Sequence, residues 1–261
     1  MINNILLVNP WIYDFAAFDF WNKPIGLLYL ASMLRQNAFH VFFMDCLDSS
    51  HPDMQFEPRI IHPGKRKSGA GSYPKDIISK PDILKTIPRN YHRYGLTPKV
   101  LFKSLHALPA KPDLIMMTSM MTYWYPAVFD LVQLLHELFP AVPVVLGGNY
   151  VTLLPRHALG SGAEYCFPGP SEHSIPAFFN HVSNRKLDAQ PDSNHLDSYP
   201  YPAFDLLNQP DQVPIMTSRG CPYRCSYCAS HLVNDGFRRR DPIRVVDEIE
   251  HERLVLALDH A

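Results

Sequence analysis

No stretch of this 261-residue chain approaches the roughly 18 continuous apolar residues that a membrane-crossing helix needs. The opening Met1-Ile2-Asn3-Asn4 lacks the positive charge of a secretory signal. A cytoplasmic protein with no membrane partner is the expectation. Neither sign of charge is in excess: 24 basic against 25 acidic residues leave a net charge of -1, so no global attraction to nucleic acid is implied. Cysteine is scarce and odd in number at five, which argues against a disulfide-stapled secreted scaffold and for a reducing compartment. What is present, 46% hydrophobic and 19% charged residues, suffices for at least one sizeable core.

Short apolar runs alternate with helical patterns. Ile5-Leu6-Leu7-Val8 reads as a buried strand ended by Asn9-Pro10, and Leu27, Leu30, Ala31 and Leu34 then recur at helical spacing. Pro24 suits the first turn of that helix. Val41 to Met44 supplies a second strand ending at Asp45, and Leu114 to Met117 a third. A helix carrying Val128, Leu131, Val132, Leu135 and Leu138 on one face leads to a strand at Val142 to Leu146. Gly147-Gly148 follows at once. A helix over Tyr150 to Leu159, a strand at Glu164 to Phe167 and a helix after Pro170 complete the pattern, which predicts an α/β class with a doubly wound parallel sheet. Ligands of such sheets bind beyond the carboxyl ends of the strands. That directs attention to Asn9, Pro10, Ser119, Met120, Gly147, Gly148, Gly169 and Glu172.

The run Cys221-Pro222-Tyr223-Arg224-Cys225-Ser226-Tyr227-Cys228 spaces three thiols as CxxxCxxC. Three thiolates in one short loop can hold a four-iron cluster and leave one iron open to a small molecule. Together with His231 they can also complete a tetrahedral zinc site, although zinc loops usually pair their ligands in two separated halves. The segment from Arg219 to Ala229 resembles the signature of the radical S-adenosylmethionine superfamily. With the preceding α/β pattern, almost the whole chain resembles cobalamin-dependent members of that superfamily.

The resemblance implies a 4Fe-4S cluster on Cys221, Cys225 and Cys228, with S-adenosylmethionine chelated by the open iron and Tyr227 against its adenine. It further implies cobalamin over Gly147-Gly148 and the Gly169–Glu172 loop, a 5′-deoxyadenosyl radical, methyl transfer to an unknown substrate, and an electron donor as partner. Pro170 and Ser171 depart from the family's acidic and glycine residues at that loop, and no Asp-x-His-x-x-Gly run is present.

The resulting division is a cobalamin-binding Rossmann-like domain over 1–190, a Pro-rich linker over 191–212, and the start of an incomplete radical S-adenosylmethionine barrel over 213–261. Val213 to Thr217 would be its first strand, and Asp241-Pro242 would start a helix. An insertion at 49–96 carries Pro52, Pro58, Pro63, Pro74, Pro81 and Pro88 with Lys65, Arg66, Lys67 and Tyr73, Tyr91 and Tyr94. It reads as a solvated lid, with nucleic-acid binding the less favoured alternative. A non-catalytic cobalamin-binding or interaction module with a vestigial or zinc-binding cysteine loop is the second reading of the whole.

Overall fold

The computed structural model describes residues 2–62, 70–183, 186–208, 210, 212–234 and 236–258. Twelve strands and eight α-helices are assigned among them. The strands are β1 (Asn4–Asn9), β2 (Ile12–Asp14), β3 (Phe18–Asp19), β4 (His40–Asp45), β5 (Gly71–Ser72), β6 (Lys75–Ile78), β7 (Tyr91–Tyr94), β8 (Leu114–Met117), β9 (Val144–Leu146), β10 (Tyr165–Cys166), β11 (Ser218–Arg219) and β12 (Arg238–Arg239). The helices are α1 (Ile25–Gln36), α2 (Pro98–His106), α3 (Tyr125–Leu138), α4 (Asn149–Leu153), α5 (Pro155–Ala158), α6 (Ser171–Ser183), α7 (Ser230–Val233) and α8 (Pro242–Leu258).

Five strands form one parallel sheet in the order β10-β9-β8-β1-β4. Alternate residues of each strand feed opposite faces, as the two-residue period of a strand requires. Leu6, Val8, Ile115, Met117, Val144 and Leu146 pack with α2 and α3. Ile5, Leu7, Leu114, Met116 and Val145 pack with α1 and α6. Both faces are therefore covered, and the fold is Rossmann-like. Chain order reverses between β1 and β8, where the chain leaves β1 for β4 on one side and returns to β8 on the other.

Local sequence explains the helices. Thr97 caps α2 by accepting from the Val100 N–H at 3.1 Å, with Pro98 in the first turn, where a missing N–H costs nothing. Pro176 inside α6 is unfavourable by about 3 kcal/mol. Burial of Ile175, Phe178 and Phe179 contributes about 1.5–3 kcal/mol each, so packing wins over propensity. Asp241 begins α8 as the sequence suggests, its carboxylate accepting from the Ile243 N–H at 2.8 Å.

Three expectations are corrected. The 49–96 insertion is not a solvated flap: β7 pairs antiparallel with both β2 and β6, and Met54, Ile60, Tyr91 and Leu96 join the core. Pro63, Lys65, Arg66 and Lys67 lie outside the described residues. The segment from Val213 to Thr217 forms no strand; the strand that does form, β11, pairs antiparallel with β12, whereas barrel strands are parallel. The expected helix over Tyr150 to Leu159 is broken into α4 and α5, because Pro155 lacks the N–H that would continue α4 and starts a new helix instead. The Ala203 N–H ties the segment before β11 to α1 by donating to the Leu28 carbonyl at 3.1 Å.

Candidate functional site

A cavity of 350 Å³ opens at the carboxyl edge of the sheet, over the reversal between β1 and β8. Its size lies in the range of small-molecule sites. Asn9 at the end of β1 and Pro10 after it, Ser119 and Met120 after β8, Gly147 and Gly148 after β9, and Gly169 after β10 all line it. These residues are far apart in sequence, and the parallel strands bring them to one edge.

The floor depends on glycine. Gly148 has φ of 95° and ψ of -173°, a region that side-chain-bearing residues avoid. A Cβ there would lie 2.3 Å from the Ser119 carbonyl oxygen. Ser119 in turn is 2% exposed and donates its hydroxyl to the Gly147 carbonyl at 2.6 Å, which locks the loops after β8 and β9 together. Thr152 Oγ1 accepts from the Gly169 N–H at 2.9 Å and adds the loop after β10.

The walls are largely apolar, with Trp11, Ile12, Leu30, Trp124 and Phe167 among them. Among the described lining residues the charged groups are Lys23 and Arg219. Arg219 is already neutralised, because its Nη1 pairs with the Glu172 carboxylate. The Tyr199 hydroxyl donates to the same carboxylate oxygen at 2.6 Å. Burial pushes the Glu172 pKa up, but the Arg219 charge and the Tyr199 hydroxyl outweigh it, and the net direction is down. Asp45, hydrogen-bonded to Asn9 Nδ2 at 2.7 Å, is instead lifted to about 6, chiefly by burial.

Glu172 thus stands apart from the other loop residues. It lines a neighbouring cavity of 230 Å³ with Tyr29, Met33, Tyr199 and Met216 and acts as a clamp between α6, the linker and β11. Sequence reading missed Lys23, Trp124 and Arg219. Position immediately before the cysteine loop was the one available signal for Arg219; for the other two, only the topology reveals their convergence.

Cys221 and Cys225 are exposed, Cys228 is half-buried, and all three are free thiols in the loop between β11 and α7. Gly220 closes that loop at φ of 84°, with no room for a Cβ beside the Gly236 carbonyl. A hydrogen bond from the Ser230 side chain lowers the Cys228 pKa, the two side chains lying 3.1 Å apart. Among the described residues no three His, Cys, Asp or Glu side chains are gathered as a metal site would require. Tyr227 is 90% exposed and does not line the cavity, although Arg219, Val233 and Asn234 on either side of its loop do.

No family model matches the chain. It is 25% identical over 185 residues to an uncharacterized methyltransferase of Pyrococcus horikoshii, covering 59% of this chain and 40% of that protein. It is 25% identical over 117 residues to an uncharacterized methyltransferase of Synechocystis, covering 41% of this chain and 21% of that protein. The chain therefore spans less than half the length of the curated relatives it matches. These findings overturn the radical S-adenosylmethionine and cobalamin assignment: the relatives are named as methyltransferases, with neither an iron–sulfur cluster nor cobalamin in their names, and no family model carries the resemblance. The cluster expectation rested on thiol spacing, and spacing alone does not bring the thiols to a common point. No helix among the described residues is long and apolar enough to cross a membrane.

Proposed function

We propose that this chain forms part of an S-adenosylmethionine-dependent methyltransferase whose methyl donor binds in the 350 Å³ cavity at the carboxyl edge of the sheet. The observation that carries this reading is the position of the cavity. It sits where the strand order reverses, with glycines in the loops that face it, so that a bulky ligand can approach backbone. The names of the two relatives support the reaction class.

The residues present fit such a donor. Apolar walls suit an adenine ring, and Asn9, Thr118 and Asn149 offer amide and hydroxyl groups for a ribose. Lys23 provides a positive charge for the carboxylate of the methionyl part. When bound, S-adenosylmethionine supplies a methyl group activated by its sulfonium. The chain's contribution is to orient the donor and keep water from it.

Gly26 gives a way to test this without strain. It lies on α1 against the cavity, and a Cβ placed on it meets nothing within 4 Å. Gly26→Phe should fill the space and keep the fold. Equilibrium dialysis with methyl-labelled S-adenosylmethionine should show saturable binding to the natural chain and at least a tenfold loss in Gly26→Phe, with circular dichroism melts unchanged. Equal binding by both proteins would place the donor elsewhere.

A further inference from the structure

Glu248 and Glu252 stand one turn apart on α8 and are 0% and 3% exposed. One guanidinium reaches the first of them. Arg240, 7% exposed, pairs through Nη1 with Glu248 and through Nε with Asp197 at 3.2 Å, and it also donates to the Met216 carbonyl at 3.0 Å. Glu252 has no ion pair among the described residues. Among the described residues, three buried oxygens here have no hydrogen-bond partner: the Tyr29 hydroxyl, Glu248 Oε1 and Glu252 Oε1.

The surrounding charges do not rescue the second carboxylate. From the short helical turn at Phe204–Leu206 within the linker comes Asp205, already paired with Arg35 of α1 at 2.8 Å. From the linker comes Asp197, held by Arg240, and from α1 comes the neutral Tyr29, with Arg219 and Glu172 beyond it. On α8 itself, Arg244 faces Asp247 and is mostly exposed, and the His251 ring lies against Tyr201. A buried carboxylate without a counter-charge is strongly unfavourable, and taking up a proton is the least costly remedy. No three ligating side chains among the described residues converge here to hold a metal ion instead.

We propose that Glu252 is protonated while α8 is docked, and that losing this proton frees α8 from α1 and the linker, making the cluster a pH-sensitive latch on the segment that carries the cysteine loop. The direction agrees: burial first, then the Glu248 and Asp205 carboxylates, lift Glu252 to about 7. Glu248 is also raised on balance, because burial outweighs Arg240, but Glu248 holds the guanidinium and Glu252 does not, so the proton is placed on Glu252. Because the folded value is raised above the ordinary 4.5, docking is strongest below pH 4.5. It weakens as pH rises from there to about 7 and changes little above.

Amide hydrogen exchange along α8, corrected for the intrinsic pH dependence of exchange, tests this on the whole chain. Every tenfold gain in proton affinity on docking biases the opening equilibrium by about tenfold, so opening should rise more than tenfold between pH 5 and pH 8. Glu252→Gln and Glu252→Met should both flatten the profile while α8 stays protected; the Met variant keeps the volume without a polar group. A flat profile in the natural chain, or the same rise in both variants, would overturn the latch. So would protection at pH 8 restored by sodium or potassium, which would make the partner a cation.

Discussion

Gly148→Ala should destabilise the protein by about 4 kcal/mol and abolish donor binding in the fraction that folds. Two costs combine. Holding a side-chain-bearing residue at φ of 95° with ψ of -173° costs on the order of 1–3 kcal/mol. The new Cβ must also move the Ser119 backbone, whose oxygen and nitrogen would lie 2.3 and 2.7 Å away, and overpacking of that kind costs about 1–3 kcal/mol more. Because Ser119 is bonded to the Gly147 carbonyl, relief by movement would open the cavity floor itself. Urea titration followed by circular dichroism should show a lower midpoint at unchanged slope. An unchanged midpoint would mean that the loop after β9 is freer than its contacts indicate.

Arg219→Met should cost about 3 kcal/mol at neutral pH. Removing one partner of a buried pair leaves an uncompensated charge, a loss of about 3–5 kcal/mol, and the lower end applies because Arg219 keeps 21% of its side chain exposed against 8% for Glu172. The double variant Arg219→Met with Glu172→Gln should recover most of this, since neither charge remains. The pH dependence has a definite sign. In the natural chain the Glu172 pKa is lowered, so its contribution is present above the ordinary carboxylate value and is lost as pH falls through the folded value. In Arg219→Met the Arg219 charge no longer offsets burial, and only the hydrogen bonds from Tyr199 and the backbone still hold the Glu172 pKa down, so the variant's deficit should shrink toward pH 4. A deficit independent of pH would assign the loss to packing of the arginine stem.

Much of the sheet was legible in the sequence because buried parallel strands read as unbroken apolar runs. Ile5 to Val8 and Leu114 to Met117 are such runs, and each is a strand of the structure. Gly147-Gly148 was legible for another reason: a double glycine after a strand marks close backbone approach. The antiparallel sheet in the insertion was hidden. Lys75-Asp76-Ile77-Ile78 and Tyr91-His92-Arg93-Tyr94 are short and polar, and their pairing is settled by β2, far away in sequence. Prolines at 74, 81 and 88 pointed to a loop when they mark the strand ends and turns.

The site was legible in its backbone and not in its charges. Loop residues at strand ends could be named before the fold was known, because topology determines where such ends gather. The Arg219–Glu172 pair joins positions 47 residues apart, and no local pattern announces it. The Arg240–Glu248 pair is closer in sequence, yet its burial depends on the linker folding over α1. The cysteine spacing was the strongest local signal, and it led furthest from what the relatives' names support.

The proposed methyl donor would bind at the carboxyl edge of the sheet. The most direct test is a titration of isotope-labelled protein with S-adenosylmethionine, followed by the backbone amide resonances. Saturable shifts should concentrate on Asn9, Ser119, Gly147, Gly148 and Gly169, all of which line the cavity. Shifts confined to the loop from Cys221 to Cys228, with the glycine amides unmoved, would contradict the account.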